Sequence, residues 1–223
     1  SCNRRSSDSP VMRASRAQGS QGLPGSPHHV LALDLGTSSL RSAVFDAHLR
    51  THRGSRARVH VIPAQPQVGA SEFDAEALAH QVEWLLDQSL KDRTAPAIDA
   101  VGISCFWHSL LGLNDAGDPV TPVYLWGDLR STPEAAALRE ELDERAIFAR
   151  TGSPIHPTFW PARLRWLARN DPDAVRQTRS WVSFADFLSA RWLGSLGSSL
   201  SMASATGLFD QNRQTWDLSL IHI

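Results

Sequence analysis

The 223 residues, 42% of them hydrophobic, are enough for one sizeable packed domain or one and a fraction. A formal net charge of -1 excludes any electrostatic case for nucleic acid or for an anionic membrane surface as partner. Two cysteines, Cys2 in a tail and Cys105 in an expected strand, make no disulfide framework, and no apolar run approaches the length of a membrane span, so the chain reads as soluble and cytoplasmic.

Residues 1–29 are rich in Ser, Arg, Gly, Pro and Gln and have no hydrophobic period, which predicts a disordered or non-native leader. A transit peptide would be Arg- and Ser-rich too, but Asp8 and the lack of an amphipathic helix oppose that reading. The pair His28-His29 at its end reads as solvated rather than as a metal site.

From residue 30 the pattern changes. Strands are predicted at 30–34, 40–46 and 56–62, and the first two enclose Asp34-Leu35-Gly36-Thr37-Ser38-Ser39-Leu40-Arg41. A carboxylate at a strand end can hold a hydrated Mg²⁺, which takes one or two carboxylates and keeps several waters. Gly36 allows close backbone approach, Thr37 and Ser38 offer hydroxyls and N–H groups to anionic oxygens, and Arg41 across the hairpin can meet a phosphate bidentately. The bland alternatives are an ordinary strand reversal and a surface arginine. Neither G-x-x-x-x-G-K-[ST] nor G-x-G-x-x-G occurs in the sequence.

Leu78, Val82, Leu85, Leu86 and Leu90 recur at helical spacing, predicting a helix over 73–90 with Ser71 or Asp74 as N-cap. A buried apolar strand is expected at 98–104, then a strand at 109–114 that turns through Asp115-Ala-Gly117-Asp118 into a partner at 120–126. Ser131-Thr-Pro-Glu134 has the form of a capping box opening a helix, and further helices are predicted at 160–170 and 183–193. Strands before and between helices predict an α/β fold with a mixed sheet flanked by helices.

Two polar clusters follow predicted strands. His108 comes directly after the 98–104 strand, where open α/β sheets present ligand-binding residues; it can hydrogen-bond a polyol hydroxyl, or be a satisfied core histidine. Trp126-Gly-Asp128-Leu-Arg130 offers an aromatic face for sugar C–H groups with a carboxylate and a guanidinium for hydroxyls. An internal Asp128–Arg130 salt bridge bracing the turn is the alternative, and both can hold at once. Cys105 as a nucleophile with His108 has little in its favour, because a strand-end cysteine in apolar surroundings is inert. HExxH, paired CxxC and GxSxG are absent.

Four stretches in order, ALDLGTSSLRSAVFD, GISCFWHSLLGLNDAGDPVTPVYLWGDLRS, RTGSPIHPTFWPARLRWL and SMASATGLFDQNRQTWD, resemble the amino-terminal domain of the FGGY carbohydrate kinases, closest to the gluconate kinase branch, over residues 30–217. The resemblance implies an actin-like, ribonuclease H-like fold and ATP-dependent phosphorylation of a sugar or sugar acid, gluconate first, with a pentulose kinase of the xylulose type as the alternative. It implies that Asp34 assists Mg²⁺, that Gly36, Thr37, Ser38 and Arg41 lie near the ATP phosphates, and that His108, Trp126, Asp128 and Arg130 face the sugar. Ser153-Pro-Ile-His156-Pro looks branch-specific, His156 being either a sugar contact or a turn brace. The family's aspartate base and second domain are expected downstream of Ile223, so no catalytic residue is assigned here and this chain alone is expected to transfer no phosphate. Residues 218–223 are expected not to continue the family pattern, and a homodimer is one expected form of the full-length protein. Readings from other classes are an actin-like ATPase without a sugar substrate and a non-catalytic sugar-binding module.

Overall fold

The computed structural model describes residues 29–92 and 96–221; nearly all of the expected leader, with Cys2, lies outside them. Strands β1 (Val30–Leu35), β2 (Ser39–Phe45) and β3 (Ala57–His60) form an antiparallel meander in which Asp34 faces Arg41 and Leu35 faces Leu40. Alternation decides the faces: Leu31, Leu33 and Leu35 of β1 and Leu40 and Val44 of β2 are buried, while Asp34 and Arg41 project from the opposite face.

A short strand β4 (Glu72–Phe73) precedes α1 (Ala75–Leu90). Of the two candidate caps Asp74 is the one used, its carboxylate accepting from Ala77 N at 2.7 Å. The Leu78, Val82 and Leu85 stripe of α1 packs over β2 and β3 and forms the first core. Strand β5 (Ala100–Cys105) then runs parallel to β1, completing a mixed sheet in the order β3-β2-β1-β5. Here the expectation of a buried strand fails. Val101 and Ile103 are 55% and 48% exposed, because β5 is the sheet edge, paired on one side only, and α1 lies over the other strands.

The expected pairing of 109–114 with 120–126 is also reduced. β6 (Leu111–Leu113) pairs with Ser180–Val182, and β7 (Val123–Tyr124) pairs with β4, leaving only the bridges Leu110–Tyr124 and Leu113–Pro119 between the two segments. Pro119 and Pro122 supply no N–H to a ladder, and the Thr121 hydroxyl takes the Gly112 N–H at 2.9 Å.

The helical half comprises α2 (Thr132–Glu141), α3 (Glu144–Thr151), α4 (Trp160–Asn170), α5 (Pro172–Gln177), then β8 (Ser180–Val182), α6 (Phe184–Leu193) and α7 (Leu200–Ser204). The capping box expected at Ser131 and Glu134 does not form: the Ser131 hydroxyl donates to Pro157 O at 3.1 Å, and Glu134 is buried with Arg169 3.6 Å away. A capping box is instead present at Ser183 and Asp186, opening α6. Arg191 ties α6 to α1 through Glu76 and Glu83, each at 2.8 Å. The hairpin β9 (Phe209–Asp210) and β10 (Thr215–Trp216) leads to α8 (Leu218–Ile221), whose Leu220 is 3% exposed in a second core with Leu138, Trp160 and Leu167.

Candidate functional site

The parallel neighbours β1 and β5 end together, so the segments that follow them leave the sheet side by side. Phe106 N donates to Leu35 O at 2.9 Å, which places the Gly36 turn next to the Trp107-His108 segment. The turn closes with Gly36 N donating to Ser39 O at 3.0 Å and Val61 N to Ser38 O at 3.2 Å, bonds that consume neither the Thr37 nor the Ser38 N–H. A Cβ on Gly36 would lie 3.0 Å from Ser39 O, a tight contact that would press on the carbonyl closing the turn. Asp34 and Arg41 form a loose pair at 3.4 Å with both side chains more than half exposed. They line an open concavity of about 840 Å³ on the sheet face opposite α1, with Ala43, Phe45 and Ile103 among its walls.

Thr37 turns the other way. With Gln65, Ser71, Trp126 and Gly127 it lines a cleft of about 340 Å³, so the hairpin and the aromatic cluster, far apart in sequence, border the same cleft. Trp126 is 54% exposed on a turn closed by Asp128 N to Leu125 O at 3.0 Å, and its carbonyl accepts the Thr158 hydroxyl at 2.9 Å.

Asp128 and Arg130 are arranged as the brace. The Asp128 carboxylate is 4% exposed and accepts from Ser71 N at 3.1 Å, while Arg130 Nη2 donates to Asp128 and to Glu72 at 2.6 Å each. The guanidinium lies 5.3 Å over Tyr124 and 4.8 Å over Trp166, a cation–π position that turns it inward. Neither residue lines the Thr37–Trp126 cleft.

His108 is partly buried, with its ring edge-on to Phe159 at 4.8 Å. Its Nδ1 lies 2.7 Å from Ala205 O; only an N–H can bond a carbonyl, which assigns the neutral proton to Nδ1 and leaves Nε2 an acceptor. Burial lowers the imidazole pKa below its ordinary value; the Ala205 bond opposes this, and Arg163 and His156 add to it. His156 is exposed, and its Nδ1 accepts from Thr158 N at 3.2 Å, the turn-bracing arrangement, which leaves Nε2 as the donor in the neutral ring. Burial pushes the Cys105 thiol up to about 12, so it carries no thiolate at neutral pH.

No group of three or more His, Cys, Asp or Glu side chains suited to a metal occurs among the described residues. The single strand-end carboxylate of Asp34 still fits Mg²⁺, which leaves most of its coordination to waters and phosphates.

A sequence model of the FGGY family of carbohydrate kinases, N-terminal domain, matches residues 29–223. The chain belongs to the FGGY carbohydrate kinases. The match runs through residue 223, beyond the 217 at which the quoted motifs stop. Among curated relatives, gluconokinase of Bacillus subtilis is 23% identical over 87% of the chain, xylulose kinase of Streptomyces rubiginosus 30% over 86%, and glycerol kinase of Variovorax paradoxus 34% over 86%. The chain spans only 38%, 39% and 40% of those three proteins. In structure it matches gluconate kinase from Lactobacillus acidophilus with TM-score 0.82 at 23% identity, over 88% of this chain and 39% of that one. Plasmodium falciparum glycerol kinase with ADP matches with TM-score 0.81 at 20% identity, over 88% and 40%. The mixed sheet with flanking helices is thus the actin-like, ribonuclease H-like fold.

Within this FGGY domain, residues that the motifs did not single out complete the site. Gln65 and Thr158 carry no sequence signal of their own. Arg163 does: with Trp160 and Leu167 it occupies the apolar face of α4, where a charge is out of place, and it is 3% exposed.

Proposed function

We propose that the chain is the acceptor-binding domain of an ATP-dependent carbohydrate kinase that moves the γ-phosphoryl group to an alcohol of a sugar or sugar acid, gluconate first. The observation that carries this reading is the cleft lined by both Thr37 and Trp126, a phosphate-type turn and an aromatic plate in one cleft. An ATPase without a sugar substrate has no use for the plate. Bound Mg-ATP supplies the transferable group and the charge that offsets developing negative charge. The chain's own part is positioning: Asp34 would hold the hydrated cation, and Gly36, Thr37, Ser38 and Arg41 the phosphates. Trp126 packs on the acceptor's C–H face, His108 Nε2 accepts a hydroxyl proton in a hydrogen bond, and His156 offers a donor. Asp128 and Arg130 act by fixing the Trp126 turn. The base that removes the hydroxyl proton is assigned to no residue of these 223.

A xylulose-type acceptor is the second reading, since xylulose kinases stand beside gluconokinases among the similar proteins. Calorimetric titration of the 223-residue chain with gluconate and with xylulose tests the acceptor site without turnover. Half a cleft is expected to bind weakly, at about millimolar Kd, and Trp126→Ala to abolish the signal. Binding that ignores Trp126→Ala would overturn the assignment of the plate.

A further inference from the structure

We propose that Arg163 is the positioning residue of the acceptor site, its guanidinium fixing by hydrogen bonds the three chain segments that carry His108, Trp126 and His156. Nε donates to Pro157 O at 3.1 Å, Nη1 to His108 O at 2.6 Å and to Tyr124 O at 3.3 Å, and Nη2 to Leu125 O. Those carbonyls come from segments that follow β5, end β7 and precede α4. Each belongs to, or lies within two residues of, a residue assigned to the acceptor: His108 itself, Tyr124 and Leu125 before Trp126, Pro157 after His156.

The arrangement is unusual in its partners. Arg163 is 3% exposed and forms no ion pair among the described residues; every acceptor it bonds is a main-chain carbonyl, and the Asp128 carboxylate and Arg130 guanidinium act on it only through space, with opposite effects. Burial lowers its pKa to about 10, which still leaves it a cation at neutral pH. A buried charge with no directly bonded carboxylate is costly, and methionine of similar length would fill the same apolar space on α4. What methionine lacks is a planar fork of five N–H donors that can meet carbonyls arriving from different directions. The bond to His108 O has a further role. His108 is at φ 62, in the left-handed region, and its carbonyl is held by Nη1 while its ring is held by Ala205 O, so both ends of the residue are fixed. The Tyr124–Leu125 bonds fix the entry to the Trp126 turn, whose exit is fixed independently by Arg130 on Asp128.

The inference rests on the acceptor reading above, and its test separates the two. Amide hydrogen exchange by mass spectrometry is measured on the 223-residue chain, its Arg163→Lys and its Arg163→Met forms, with gluconate titrations on the same samples. Exchange in 107–110, 124–128 and 155–159 is expected to quicken about tenfold in Arg163→Met and less in Arg163→Lys. The 30–45 hairpin serves as internal control and is expected to hold its rate, while gluconate affinity falls in the same order as the loops loosen. Acceleration spread equally through the hairpin and the three segments, in either variant, marks Arg163 as general core support and overturns the proposal, as does unchanged exchange. Selective loosening with no gluconate binding by any form, wild type included, leaves the positioning role standing and counts against the acceptor reading. Should Arg163→Met not fold, Arg163→Lys carries the comparison, since it keeps the charge and loses the fork.

Discussion

His108 combines three constraints in one residue: a left-handed backbone that costs about 1–3 kcal/mol for a side chain other than glycine, a ring bonded to Ala205 O, and partial burial. Its lowered pKa has a definite sign in stability. The unfolded chain binds a proton at the ordinary histidine value of about 6.5, the folded chain only at lower pH, so stability is fully present above about pH 6.5 and is lost as pH falls through the folded value. Urea midpoints at neutral pH and at pH about 5 should therefore fall less on acidification for His108→Gln than for the parent; equal losses would remove His108 from the acid limb. Charge pairs at the site divide in the same physical way. Arg130→Ala strands the buried carboxylate of Asp128 and half-buried Glu72 and is expected to cost roughly 3–5 kcal/mol, whereas Arg41→Ala breaks an exposed pair and should cost under about 1 kcal/mol, both read by urea denaturation. Sequence spacing alone left Arg130 open between sugar contact and brace. Glu72, 58 positions earlier, completes the brace, and no local pattern links it to Arg130.

At the scale of elements, the strongly periodic pieces were legible: the hairpin β1–β2, α1 and α4 match the hydrophobic period closely, because each buries one continuous stripe. What was not legible depended on tertiary partners. Ser131 has the sequence of a cap, but Pro157 O takes its hydroxyl; Ser183 has the working box. Ser183→Ala is thus expected to lose about 1–2 kcal/mol, and Ser131→Ala clearly less, since Pro157 O keeps its bond from Arg163; thermal melts of the two variants compare them directly. β5 looked like a buried strand by composition, yet burial is set by what covers a strand, and here Ile103 is 48% exposed while Leu33 on the adjacent strand is 2% exposed. Leu33→Ala should cost about 2–5 kcal/mol and Ile103→Ala under about 1 kcal/mol, and equal costs would contradict the assigned faces.

For the molecule as a whole, the candidate site lies where a parallel pair of strands ends. β1 and β5 deliver the phosphate-type turn and the His108 segment to one edge, and β7, braced to β4, brings Trp126 to the same cleft as Thr37. Relatives named for gluconate, xylulose and glycerol match to similar extents, so the acceptor is a matter for experiment. The chain spans about 40% of those relatives, and the decisive measurement is ADP release by a two-domain kinase that carries this chain as its amino-terminal domain, with Mg-ATP and gluconate, xylulose or glycerol, with and without Trp126→Ala. Release is expected to depend on a polyol, gluconate first, with the KM for that polyol raised about tenfold by Trp126→Ala and the KM for ATP little changed. ATP hydrolysis indifferent to every polyol would contradict the acceptor-binding role of this domain.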